Sequence, residues 1–87
     1  MNEKTLHSFG FTQYEAKVYL ALASLPKGKA GEIGKISGVP SNKVYECLIR
    51  LAEKGFVASL NITPQEYKVT GVQKFRDMLK EQEQEIK

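Results

Sequence analysis

One histidine and one cysteine occur in the 87-residue chain, and Asp77 is its lone aspartate. His7, Cys47 and Asp77 fall in three separate segments. That spacing builds neither a nucleophile–base pair nor a metal-ligand set. Gly28, Gly31 and Gly34 follow no predicted strand, so they do not read as a phosphate-cradling loop. Cys47 lies on an apolar stripe, where a free cysteine behaves as a small hydrophobe. No catalytic residue, metal or cofactor is therefore expected. Better material lies in "SGVPSNKVYECLIRLAEKG", residues 37–55. Val44, Cys47, Leu48 and Leu51 recur at i, i+3, i+4 and i+7, the buried stripe of a helix over 41–54. Its other face then shows Asn42, Lys43, Glu46, Ile49, Arg50 and Glu53, with Tyr45 at one border.

Those side chains suit a nucleic-acid groove. Asn can hydrogen-bond an adenine edge and Lys can reach guanine acceptors. Arg50 and Tyr45 suit phosphate, the commoner kind of protein–DNA contact. Ser41 and the first-turn N–H groups can also receive a phosphate. Glu46 would either accept from a cytosine amino group or repel the backbone. The charge distribution agrees. The formal net charge is +3, and the whole excess falls on residues 27–54. That segment holds Lys27, Lys29, Lys35, Lys43, Arg50 and Lys54 against Glu32, Glu46 and Glu53. A basic patch there attracts a polyanion.

The elements that must position this face follow from local signals. A short helical turn is expected over Glu3–Ser8, closed by Gly10. "TQYE" reads as a capping box, Thr12 with Glu15. It opens a helix over 12–25 with the stripe Tyr14, Val18, Tyr19, Ala21, Leu22 and Leu25, stopped by Pro26 and Gly28. A shorter helix over 30–37 turns Ile33 and Ile36 inward, with Gly34 leaving room for a crossing helix. Gly38 supplies a left-handed cap, Val39 plugs the corner, and Pro40 resets the chain. Ser41 is the expected N-cap of the next helix. Gly55 ends it. "FVASL" alternates as a strand, "NITPQ" turns and "EYKV" returns, giving a hairpin. Thr70 and Gln73 can cap a last helix over 71–86 carrying Val72, Phe75, Met78, Leu79 and Ile86. The fold class is mainly α with a small β-hairpin.

"YEAKVYLAL" and "VPSNKVYECLIRLAEKG", with the hairpin ending in "YKV", resemble the winged helix–turn–helix domain of the TrmB family, over about residues 9–70. The resemblance implies archaeal-type, often sugar-responsive transcription regulators. It implies sequence-specific binding of double-stranded DNA by a homodimer, with Ser41, Asn42, Lys43 and Tyr45 facing DNA. It also implies residues 1–70 as the DNA-binding domain and 71–87 as a dimerising helix through Val72, Phe75, Met78, Leu79 and Ile86. Two departures stand out. The wing has no arginine and sets Glu66 beside Tyr67. Affinity is then expected from the recognition helix with Lys27, Lys29 and Lys35. Larger members carry a sugar-binding effector domain, and this chain stops at Lys87, so no small-molecule effector is expected in it. It reads as a small standalone regulator or a fragment.

The competing reading is a winged-helix protein-interaction module that no longer reads DNA. Its motives are the uncharged wing and the balanced charges of helix 71–86. RNA binding finds no exposed aromatic sheet and no GxxG clamp. The absence of a leader-like start, of a span-length apolar run and of a second cysteine makes a cytoplasmic, membrane-free protein the expectation.

Overall fold

The computed structural model describes residues 3–60 and 63–70. The elements run α1 (Glu3–Ser8), α2 (Gln13–Ala23), α3 (Ala30–Ser37), α4 (Ser41–Glu53), β1 (Val57–Leu60) and β2 (Glu66–Val69). The expected helix over 71–86, the Thr70–Gln73 cap, the domain division after residue 70 and the dimerising residues Val72, Phe75, Met78, Leu79 and Ile86 all lie outside the described residues.

Three helices make the core. Val18, Tyr19 and Leu22 of α2, Ile33 of α3, and Val44, Leu48 and Leu51 of α4 are all buried, with Leu6, Phe11, Val39, Phe56 and Val57 closing the ends. Phe11, Tyr19 and Phe56 meet edge to face, at centroid separations of 5.6, 5.0 and 6.2 Å. Such aromatic pairs add about 0.5–1.5 kcal/mol each beyond the area they bury. This cluster joins the start of α2 to the root of the hairpin.

β1 and β2 pair antiparallel, Val57 with Val69 through Leu60 with Glu66. A third segment joins them. Gly28, in the α2–α3 loop, exchanges both backbone hydrogen bonds with Tyr67, at 2.9 and 2.8 Å. A Cβ on Gly28 would stand 2.8 Å from Leu25 Cδ1, so a larger residue there would have to displace that side chain. The hairpin is thus stitched to the loop that feeds α3.

Several expectations need correction. The helix expected over 12–25 is shorter. Thr12 is its N-cap, and Ser24 and Leu25 close it with i→i−3 bonds to Ala21 and Leu22. Pro26 disfavours helical backbone at Leu25 and so ends it early. Tyr14 and Ile36, assigned inward, are 41% and 53% exposed. Ile36 follows Ile33 by three residues, but α3 has only eight residues and its buried positions are Ala30 and Ile33. Val57, set opposite Phe56 in the strand alternation, is buried with it, because Phe56 precedes the strand. A Cβ on Gly34 would meet Val44 Cγ2 at 3.6 Å and the Val39 carbonyl at 3.7 Å. That is ordinary contact, so the helix crossing tolerates alanine there.

Candidate nucleic-acid interface

The helix–turn–helix is built by α3, a three-residue turn and α4. Gly38 takes φ +75°, and its N–H donates to the Gly34 carbonyl at 2.9 Å. The left-handed conformation at this point is what glycine permits without strain. The Ser37 hydroxyl bridges the corner, donating to the Gly34 carbonyl at 3.4 Å and accepting from the Val39 N–H at 3.2 Å. Val39 is buried beneath the turn.

The N-cap of α4 is Pro40 rather than the expected Ser41. The Pro40 carbonyl accepts from Lys43 at 2.9 Å and Val44 at 3.0 Å, so Ser41 already sits inside the first turn. Extended backbone at Pro40 (ψ 140°) suits the cap position, where a missing N–H costs nothing. The helix ends at Glu53, with Lys54 as C-cap, one residue short of the expected span. No side chain caps its start. The Lys43 and Val44 amides are taken by Pro40, and Ser41 and Asn42 ahead of them are exposed.

Ser41, Asn42, Lys43, Tyr45, Glu46 and Arg50 are all exposed, on the side of α4 away from the core. Lys43 and Glu46 pair along the helix at 3.3 Å. Arg50 forms no ion pair among the described residues. Lys43, Glu46 and Arg50 line one wall of a groove of about 330 Å³. Its opposite wall is Thr12, Gln13 and Tyr14 at the start of α2, with Cys47 at the floor. Burial, reinforced by Glu15 and Glu46, pushes the Cys47 thiol up, so it stays protonated and unreactive at neutral pH. No group of three or more His, Cys, Asp or Glu side chains that could hold a metal occurs among the described residues.

The other lysines are dispersed. Lys27 sits in the α2–α3 loop and pairs with Glu66 of the wing at 3.4 Å. That pair offsets the acid which the sequence sets against a polyanion. Lys29 and Lys35 are exposed at the two ends of α3, and neither lines the groove with Lys43 and Arg50. Thr63, Pro64 and Gln65, the described residues of the turn, carry no charge. The Gln65 amide donates to the Leu60 carbonyl at 2.8 Å and to the Ser59 hydroxyl, closing the hairpin across its strands.

The sequence reading missed one anchor. The Glu15 carboxylate is 1% exposed, and Oε1 accepts from the Thr12 N–H at 2.8 Å. Lys54 Nζ reaches the same carboxylate at 3.2 and 3.3 Å and lies over the Phe11 ring at 5.6 Å. Burial alone would raise the Glu15 pKa, but the Thr12 amide and Lys54 outweigh it and hold it below its ordinary value. Lys54 is therefore drawn from the basic patch to clamp the end of α4 against the start of α2. The capping box signalled half of this arrangement. Nothing in local spacing signalled a contact across 39 residues.

A family model described as "Sugar-specific transcriptional regulator TrmB" matches residues 6–73. The HTH-type sugar sensing transcriptional regulator TrmBL1 of Pyrococcus furiosus is 44% identical over 62 residues, 71% of this chain and 18% of that protein. The uncharacterized protein YrhO of Bacillus subtilis is also 44% identical over 62 residues, 69% of this chain and 22% of that protein. The chain thus spans about a fifth of the length of the curated relatives it matches. Among solved structures, TrmBL2, an archaeal chromatin protein with a novel mode of DNA binding, superposes with TM-score 0.70 at 27% identity. That match covers 88% of this chain and 31% of TrmBL2. The Zalpha domain of Carassius auratus PKZ, solved in complex with Z-DNA, gives TM-score 0.61 at 26% identity over 67% of this chain and 94% of that domain. Both neighbours are winged-helix proteins, which is the fold expected from the sequence.

Proposed function

The chain belongs to the TrmB family of transcriptional regulators, and from that premise we propose that it binds double-stranded DNA through the exposed face of α4. The observation that carries the proposal is the clustering of Asn42, Lys43, Glu46 and Arg50 on one outward face, positioned by the turn at Gly38 and the clamp at Lys54. In this reading α4 enters the major groove. Asn42 and Lys43 face base edges, while Arg50, Ser41 and the uncapped first-turn amides receive phosphates. Glu46 holds Lys43 in place until a base edge or phosphate competes for it. Lys29 and Lys35 add attraction at longer range.

The proposal extends to a homodimer that reads two half-sites about one helical turn apart. This rests on the apolar spacing of Val72, Phe75, Met78, Leu79 and Ile86 in the sequence. Sedimentation tests it: a solution mass of two copies is the expected result, and a mass of one copy would overturn it. No small-molecule effector is assigned to these residues.

Fluorescence anisotropy with a duplex of about 30 bp, three helical turns, tests the DNA reading. Each phosphate neutralised contributes about −0.9 to the slope of log K against log salt. Lys43→Ala/Arg50→Ala is expected to flatten that slope by about 1, the share of Arg50, and to weaken base selectivity through Lys43. An unchanged slope, or no binding at about 50 mM salt, would remove α4 from the interface and favour a protein-docking module.

A further inference from the structure

The exposed face of α4 has two chemically different edges. At 100° per residue, Lys43 and Arg50 share one border of the face. That placement is visible directly, since both line the groove against the start of α2. Tyr45 and Ile49, four residues apart, share the opposite border and stay outside that groove. They are 55% and 60% exposed, the two most exposed large hydrophobic side chains among the described residues. Asn42, Glu46 and Glu53 lie between the two edges.

An exposed Ile in mid-helix gains nothing locally, because β-branching slightly lowers helix propensity. Ile49 has no polar atom with which to read a base edge or hold a phosphate. In the major groove the apolar feature of the base pairs is the thymine C5-methyl group. Tyr45 presents the flank of a ring one helical turn earlier. With the cationic edge fixing one side of the face in the groove, the apolar edge on its other side meets the base pairs toward the far strand.

We propose that Tyr45 and Ile49 form an apolar base-reading edge that selects thymine methyl groups. The proposal rests on the DNA-binding reading above and deepens it. The four-residue rise of about 6 Å spans about two base-pair steps of 3.4 Å. Two methyl groups at that separation would fit the pair.

The test uses an A·T-rich duplex of about 30 bp and the same duplex with every thymine replaced by uracil, which deletes only the methyl groups. Anisotropy is read for the wild type, Ile49→Ala and Tyr45→Ala, with circular dichroism confirming that each variant folds. The wild type is expected to prefer the thymine duplex by about fourfold for each methyl it buries. Ile49→Ala is expected to bring the preference toward one while leaving the salt slope unchanged. Equal wild-type affinity for both duplexes, with salt-sensitive binding intact, overturns the proposal and leaves the DNA reading standing. A thymine preference that survives both substitutions also overturns it. Absence of binding to either duplex overturns both. Sedimentation without DNA supplies the last outcome: self-association abolished by Ile49→Ala would give this edge to a second copy of the chain and overturn the proposal.

Discussion

Replacing Glu15 by glutamine keeps the shape of the side chain and removes its charge. The amide oxygen of the variant can still accept from the Thr12 N–H, where the wild-type distance is 2.8 Å. The amide nitrogen, however, takes the place of an oxygen that stands 3.3 Å from Lys54 Nζ. Donor then faces donor on that side, and Lys54 keeps at most a bond to the neutral amide oxygen in place of the charged pair at 3.2 Å. A hydrogen bond to a charged group contributes about 1.5–3 kcal/mol and a neutral one about 0.5–1.5. The expected loss is about 2 kcal/mol, or a fall in Tm of about 8–16 °C for a domain of this size. Lys54→Met keeps the apolar stem near Phe11 and leaves Glu15 with the Thr12 amide, at a similar cost. The double variant is expected to lose less than the sum of the two, by about 1 kcal/mol or more. Acid titration gives a second readout with a fixed sign. The folded-state pKa of Glu15 lies below 4.5, so its contribution is complete above pH 4.5 and is lost as pH falls through the folded value. Urea unfolding of the four proteins at neutral and acid pH measures both effects. Additivity within about 0.5 kcal/mol, or an acid limb that Glu15→Gln leaves unchanged, would refute the clamp.

Two glycines in the helix–turn–helix are expected to respond in opposite directions. Gly34→Ala should stabilise the domain by up to about 1 kcal/mol, since the new methyl meets Val44 and Val39 at ordinary distances of 3.6 and 3.7 Å. Gly38→Ala should destabilise it by about 1–2 kcal/mol, because φ is +75° although nothing crowds the position. Thermal unfolding of both variants against the wild type checks the pair.

The fold was legible where local chemistry decides it. The Thr12–Glu15 capping box, the left-handed Gly38, the buried stripe of α4 and the hairpin all follow from spacing and turn residues, and all are present. The misses are of another kind. Ile36 and Ile33 are equivalent by periodicity, and only the placement of α2 and α4 around a short α3 buries one and exposes the other. Gly28 reads as a helix stop, yet it also serves as a strand partner for Tyr67, which a linear pattern does not encode. For the candidate interface, sequence named the exposed face of α4 but counted cations as a sum. The fold partitions them: Lys54 faces Glu15, Lys27 faces Glu66, Lys43 faces Glu46, and Arg50 forms no ion pair among the described residues.

The central claim is that the exposed face of α4 meets DNA. Backbone amide shifts recorded while a duplex is added to labelled protein test it most directly. The account predicts the largest changes at Asn42, Lys43, Tyr45, Glu46, Ile49 and Arg50. It predicts little change around Glu3, Lys17, Leu20 and Ile36, which border a separate cleft on α1, α2 and α3. Changes centred on that cleft, with α4 unmoved, would contradict it.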